Sequence, residues 1–407
     1  MDLIQRFQQL DAWLAEHQSL WQARPFVEHQ CPWESQWPEL AAWLRGRTLE
    51  QAEQAHNQPH LLEAPAPFAE LAQTAFALSQ LPDWTIEPPD SSPELLQRHI
   101  PGRKWQQINH FAYTSQARWQ QPARHWLDWC AGKGHLGRLL AWQTQQPLLC
   151  LEQDAQLNRA GALLSGQFKL TATHQDADVL ERDSWRYLAP EHSLVALHAC
   201  GQLHMTLLQQ AATRGCAQVA LAPCCYNRID DACYVPLSAH ASAAQLRLSK
   251  EDLALPMQES ITAGQRTRRL RDRSMSWRLA FDLWQRETRK VDAYLATPPR
   301  PESAMASGIA PFCRDLAAYH QLDLAEPVSW ERLEQRGWER LAQVRNLELV
   351  RGLFRRPLEI WLLLDRALYM QEAGYRVEIG LFCPAALTPR NILLIAEKGS
   401  AQPITSL

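Results

Sequence analysis

The chain has 407 residues, with 41 Lys and Arg against 44 Asp and Glu and a formal net charge of -3. That length allows two or three domains with cores of their own, and the near-neutral balance excludes a globally basic nucleic-acid binder while leaving room for a local basic patch. No run approaches the roughly 20 apolar residues of a membrane span, and the opening Met1-Asp2-Leu3-Ile4-Gln5-Arg6 lacks the plan of a signal peptide, so a cytoplasmic protein is expected. The ten cysteines are scattered and mostly sit in or beside apolar runs, which predicts free thiols and no disulfide framework. From about Leu3 to Leu81 apolar residues recur at i, i+3 and i+4, as in Leu10, Trp13, Leu14 and again Leu40, Trp43, Leu44, the spacing of helices. The Pro82 to Pro93 stretch, with Asp90-Ser91-Ser92, reads as a linker, so residues 1–95 are expected to form an N-terminal helical domain without a catalytic motif.

Alternating strand-like and helix-length segments follow from about Lys104 to Ala222. The strands are expected near 125–130, 147–152, 168–173, 193–198 and 217–222, and right-handed crossovers between them give a parallel sheet. The first ends in His125-Trp126-Leu127-Asp128-Trp129-Cys130-Ala131-Gly132-Lys133-Gly134-His135-Leu136-Gly137-Arg138, which reads as a buried strand, a glycine turn and a helix start. Gly132 and Gly134 let the backbone turn sharply and approach a ligand, and the helix N-terminus aims free N–H groups at the same place. Gly132-x-Gly134-x-x-Gly137 also spells the dinucleotide fingerprint, so the loop alone does not choose its cofactor. Glu152, about twenty residues past the glycines, stands where an acid reaches ribose hydroxyls, and Asp176 could accept from an adenine amino group.

Residues 227 to about 372 read as mostly helical. Arg266, Arg268, Arg269, Arg271, Arg273 and Arg278 crowd one short segment around Trp277, either as a solvated helix face or as a surface whose guanidinium forks meet phosphates. Tyr375 to Cys383 and Asn391 to Glu397 read as two closing strands around the turn-like 384–390.

Two further strand ends hold cysteine and histidine: Leu197-His198-Ala199-Cys200-Gly201-Gln202-Leu203-His204 and Ala222-Pro223-Cys224-Cys225-Tyr226-Asn227. In an open parallel sheet, ligands sit outside the carboxyl ends of the strands, so these motifs face the cofactor edge. The ordered set AGKGHLGR, LHACGQLH, APCCYN, PLEIWLLLDRALYMQEAGY and LTPRNILLIAEK resembles the methyltransferase-like protein 25 family over roughly residues 100 to 400. The His-x-Cys-Gly and Cys-Cys pairs are similar, more weakly, to tRNA 2′-O-methyltransferases that carry a CHHC zinc finger. The resemblance implies a class I methyltransferase, a Rossmann-like parallel sheet with a closing antiparallel strand, in a domain spanning 100–407 with its helical insertion at about 227–372. It implies S-adenosyl-L-methionine as cofactor, with Asp128 collecting the amino-acid end, Gly132 and Gly134 in the loop, and Glu152 on the ribose. It places Cys200, Gly201, Cys224, Cys225 and Tyr226 at the active-site rim. The upstream Arg103-Lys104-x-x-Gln107 matches a Lys-x-x-Glu element of that family, with Gln107 in place of the acid.

For the cysteines, three roles stay open: apolar packing, a metal site drawn from His198, Cys200, His204, Cys224 and Cys225, or a nucleophile at Cys224. Adjacent cysteines rarely chelate one ion, so no metal site is expected. If the acceptor is a nitrogen or oxygen atom, His198 and Tyr226 are the candidate bases, and His198, Cys200, Cys224, Cys225 and Tyr226 form the candidate catalytic set. The expected activity is methyl transfer to RNA at N or O. A protein acceptor, an NAD-dependent oxidoreductase and a non-catalytic binding module that retains the cofactor fold are the alternatives.

Overall fold

The computed structural model describes residues 2–89, 93–98, 100–258, 265–301, 305–323 and 328–399. They divide into two compact units. The first comprises residues 1–15, 79–258 and 358–407, and the second residues 16–78 and 259–357. One boundary, between Leu78 and Ser79, lies just before the proline stretch, and packing groups the first helix, Leu3–Glu16, up to Ala15 with the sheet-bearing unit. Asp11 explains why, since its carboxylate accepts from the backbone N–H of Gln245 at 2.8 Å and from the Trp361 indole at 3.1 Å.

The first unit is built on seven strands: β1 (His125–Trp129), β2 (Leu148–Glu152), β3 (Ala172–Asp176), β4 (His192–Cys200), β5 (Gln218–Cys224), β6 (Tyr375–Leu381) and β7 (Ile392–Lys398). Their order is β3-β2-β1-β4-β5-β7-β6, with β1 to β5 parallel and β7 antiparallel to both β5 and β6. This is the class I methyltransferase arrangement expected from the resemblance. The central strands read as continuous apolar runs because helices cover both faces of a parallel sheet, and Trp126, Leu127, Leu194, Val195, Ala220 and Leu221 are fully buried.

One strand departs from expectation. Phe168-Lys169-Leu170 precedes β3 instead of opening it, because Lys169 takes a left-handed φ of 52° in the turn that ends the helix Ala155–Gly166. Phe168 and Leu170 pack as apolar side chains on the sheet core, and pairing with β2 starts at Ala172.

The second unit is helical. Its long helices Gln265–Arg289 and Trp330–Gly352 carry Leu279, Leu341 and Val344 into one apolar cluster with Phe26 and Leu49. Among the described residues no helix is long and apolar enough to cross a membrane.

Candidate active site at the strand ends

After β1 the chain enters a tight turn in which Cys130, Gly132 and Gly134 all take left-handed φ values of 57°, 56° and 66°. The helix His135–Thr144 starts immediately after Gly134. A Cβ built on Gly132 would meet nothing within 4 Å, so the turn leaves an open cradle at that backbone position. At Gly137 a Cβ would stand 2.6 Å from Leu148 Cδ1 and 2.9 Å from Asp128 Cβ, so this glycine lets the helix close onto the sheet.

Asp128 lies beneath this turn and not in its mouth. It is 4% exposed, its Oδ2 accepts the Gly137 backbone N–H at 2.9 Å, and burial pushes its carboxyl up to about 7. A carboxyl this deep braces the helix N-terminus at Gly137, beneath the loop expected to hold the cofactor's amino-acid end. Glu152, half-buried at the end of β2, accepts the Gly132 N–H at 2.8 Å through Oε2 and the Asp154 N–H at 3.0 Å through Oε1. Each oxygen keeps a further lone pair for a hydroxyl donor. Asp176 is the exposed last residue of β3, and its Oδ1 accepts from Asn158 Nδ2 at 2.6 Å. Asn158 also donates to the Glu152 carbonyl at 2.8 Å, so one amide side chain couples two strand ends. Neither Asn158 nor His174, whose ring would meet a Cβ on either Gly134 or Gly161, belongs to a recognisable motif.

The second half of the edge lies at β4 and β5. The pairing of these strands breaks register between Leu197 and Cys200, where His198 takes a φ of 67°. Cys225, just past β5, takes a φ of 37°. The outcome is convergence of thiols: Cys200 Sγ lies 3.4 Å from Cys224 Sγ, and the sulfurs of Cys200, Cys224 and Cys225 all fall within 4.8 Å of one another. All ten cysteines are free, as expected. Cys224, 7% exposed, donates to the His198 carbonyl at 3.3 Å and its thiol is pushed well up by Cys200 and by burial. Cys200 is lowered to about 6, first by the Cys224 hydrogen bond, then by those from Cys225 and the charge of Arg228. A buried thiol that holds its proton is a poor nucleophile, so within this set the anionic character resides on Cys200 and not on Cys224.

His198 Nε2 lies 3.0 Å from Gln107 Oε1, and Gln107 Nε2 donates to the Leu387 carbonyl at 3.1 Å. Arg103 Nε donates to the same carbonyl at 2.7 Å. The Arg103-Lys104-x-x-Gln107 element thus ties the β6–β7 connection to His198, and an amide suits this position because it accepts on one side and donates on the other. Burial, Lys104 and Arg390 lower His198 to about 4, so the ring is neutral and weakly basic. That makes it an orienting group and a poor proton acceptor.

Tyr226, expected at the rim, is 1% exposed and packs into a buried network. Its ring meets His204 at 5.8 Å, with the Arg366 guanidinium 5.1 Å from its centroid. Arg366 Nε donates to His204 Nε2 at 2.8 Å, His204 Nδ1 donates to the Ala199 carbonyl at 3.0 Å, and Arg366 also bonds the Tyr234 hydroxyl at 3.0 Å. Next to it Asp365 accepts from the Ser238 backbone and hydroxyl, both at 2.7 Å. These groups support the strand ends from below; Asp365 and Arg366 lie within the PLEIWLLLDRALYMQEAGY motif on the distant helix Arg355–Glu372, which carried the resemblance but not their place beneath the site.

The arginine segment belongs to the second unit, on the helix Gln265–Arg289. Arg266, Arg268, Arg269, Arg271 and Arg273 are exposed. Arg278 is half-buried and donates to the Thr297 and Pro298 carbonyls at 3.0 Å, and Trp277 is 3% exposed with its indole N–H on Glu334 at 2.7 Å. Arg278 and Trp277 are therefore structural, and five exposed arginines remain from the expected patch.

Residues 103–232 match the family described as "Methyltransferase domain", about a third of the chain. This stretch is similar to methyltransferase domains. It contains Gly132, Gly134, Glu152, Asp176, Cys200, Cys224 and Cys225. Two curated relatives share a name, "Glutathione S-transferase C-terminal domain-containing protein homolog". The one from Drosophila melanogaster is 30% identical over 152 residues, which is 37% of this chain and 25% of the relative. The one from Drosophila pseudoobscura pseudoobscura is 28% identical over 149 residues, 36% of this chain and 24% of the relative. The chain spans about a quarter of the length of these relatives. A solved structure, the METTL16 MTase domain in crystal form 2, aligns with a TM-score of 0.26 at 16% identity, over 47% of this chain and 81% of that one. The fold assignment rests on strand order instead.

Proposed function

We propose that the chain is an S-adenosylmethionine-dependent methyltransferase acting on RNA at a nitrogen or oxygen atom, related to the methyltransferase-like protein 25 family. The observation that carries the cofactor reading is the open Gly132 cradle tied by its N–H to Glu152, set in a sheet that closes with antiparallel β7. A dinucleotide fold of order 3-2-1-4-5-6 keeps its sixth strand parallel, so the closing hairpin argues against an NAD enzyme.

The residues fit S-adenosylmethionine, which when bound supplies an electrophilic methyl group on sulfur. The left-handed backbone at Gly132 and Gly134 admits close approach, Glu152 accepts from ribose hydroxyls through its unused lone pairs, and Asp176 accepts from the adenine amino group. At β4 and β5, His198 and Gln107 orient the acceptor, and the proton of a nitrogen or oxygen acceptor leaves to water. Cys200, Cys224 and Cys225 shape that side of the pocket without a covalent bond to substrate. The exposed Arg266, Arg268, Arg269, Arg271 and Arg273, spread around one helix with Arg271 beside Asp272, support RNA as the acceptor, since guanidinium forks suit phosphates.

The test is transfer of tritiated methyl from S-adenosylmethionine into total RNA and total protein of cells lacking this chain. Label in RNA is the expected result. Label confined to protein would overturn the RNA acceptor and install a protein one. In a parallel salt series, changing Arg268, Arg269 and Arg271 to Ala should weaken RNA binding and flatten the salt slope by about one unit per contacting arginine. An unchanged slope returns this helix face to simple solvation.

A further inference from the structure

We infer that Cys200, Cys224 and Cys225 form a binding site for a thiophilic closed-shell ion of the Zn(II) type, held by three thiolates with a fourth coordination position left open. This site stands on the arrangement of the thiols and does not depend on the choice of methyl acceptor.

Four sulfur ligands at about 2.3 Å from one zinc ion lie about 3.8 Å apart along the edges of their tetrahedron. The observed separations, 3.4 Å between Cys200 and Cys224 and no more than 4.8 Å for any pair, bracket that edge. They exceed a disulfide bond of about 2.05 Å by far. Modest adjustment brings all three sulfurs onto a common ion.

The usual objection is that Cys224 and Cys225 are neighbours in sequence. In an extended strand, neighbouring side chains point to opposite faces, so such a pair cannot share an ion. Here Cys224 ends β5 and Cys225 takes a φ of 37°, which breaks the alternation and turns the second thiol back toward the first. Cys200 reaches the same place through the register break in β4, beside the left-handed His198. A left-handed backbone at a residue with a side chain costs on the order of 1–3 kcal/mol and persists where something demands it.

Soft thiolates select Zn(II) or Cu(I) over hard cations. Among the described residues no fourth His, Cys, Asp or Glu joins the group, and the His198 ring is engaged with Gln107. Cys200 and Cys225 are only half-buried, so the remaining position is open to water or to a donor atom of a substrate. Three protein ligands with one open position is the plan of zinc sites that handle exchangeable ligands.

The full chain purified without chelator should carry about one zinc per molecule by elemental mass spectrometry, and binding to the metal-stripped protein should release protons from the thiols. Cobalt(II) in its place should give thiolate-to-metal charge-transfer absorption. Alkylation of the folded wild type, mapped by mass spectrometry, should show Cys200 and Cys225 protected by zinc and the exposed Cys233 unprotected. Cys225→Ser should weaken zinc binding by roughly tenfold or more, whereas Cys216→Ser, outside the cluster, should not. The alkylation pattern needs no variant, so a Cys225→Ser chain that fails to fold leaves the test intact. Stripped protein that takes up no zinc, shows no charge-transfer band and alkylates identically with and without metal overturns the site, as does a Cys200–Cys224 disulfide in the isolated chain.

Discussion

The two halves of the strand-end edge are built by different means. At β1 and β2 glycines take two of the three left-handed positions of the turn, Gly132 and Gly134, with Cys130 the third, and the carboxylates of Asp128 and Glu152 are tied to backbone N–H groups at 2.9 and 2.8 Å. At β4 and β5 the left-handed positions include His198 and Cys225, which carry side chains, and thiols face carbonyls and one another. A glycine turn holds its shape at little cost and leaves room for a ligand, as at Gly132. Left-handed side-chain-bearing residues hold theirs only because β4, β5 and the Arg366–His204 network over-determine them. The first half is a preformed cradle and the second a strained cluster.

The largest effect that could break this contrast is at Gly201. Its φ is 49°, and a Cβ there would stand 2.0 Å from the Arg228 carbonyl oxygen, a backbone atom without freedom to move aside. Gly201→Ala should lower stability by on the order of 3–5 kcal/mol in urea unfolding. A loss below about 1 kcal/mol would mean that the cysteine side yields as easily as any surface loop.

Gly137→Ala should cost less, about 1–3 kcal/mol, because the obstacles include the Leu148 methyl and the Asp128 side chain, which can shift partly. Equal losses at Gly137 and Gly201 would erase the distinction between the halves.

The smallest effect is on pH dependence. Burial, with His125 adding to it, lowers His192 to about 4 from an ordinary 6.5, and its Nδ1 accepts the Ala189 N–H at 3.0 Å. Between those values the unfolded chain holds a proton that the folded chain lacks, so stability falls as pH falls through that window. His174 acts in the same sense, whereas Asp128, raised to about 7, acts oppositely because the folded chain holds its proton longer. His192→Asn should remove up to about one proton from the slope, near 1.4 kcal/mol per pH unit at most, as read from urea midpoints at pH 5 and pH 6. An unchanged slope would show that His192 is not held neutral by the fold.

Legibility in the sequence follows the same divide. Gly132, Gly134, Gly137 and Glu152 are readable because spacing along a strand-turn-helix unit fixes where they lie, and four of the five parallel strands fall close to where their apolar runs predict. β3 starts late because the turn at Lys169 follows from its backbone conformation, which no apolar pattern reports. Asp128 is readable as a strand-end acid but not as a buried brace, since depth depends on how closely Gly137 lets the helix approach. Tyr226 follows β5 as a rim residue should, yet the left-handed Cys225 redirects the chain and buries it. The convergence of Cys200 with Cys224 and Cys225 needs a register break and that same left-handed residue, both products of tertiary packing. Residues 16–78 and 259–357 share one unit although nearly two hundred residues intervene, and no local pattern carries that information.

Isothermal titration of the purified chain with S-adenosylmethionine and, separately, with NAD decides between the two cofactors. The account predicts saturable one-site binding of S-adenosylmethionine, none of NAD, and a loss of about 1–3 kcal/mol in affinity on Glu152→Ala in a chain that still folds. Binding of NAD without S-adenosylmethionine, or full S-adenosylmethionine affinity in the folded Glu152→Ala chain, would contradict it.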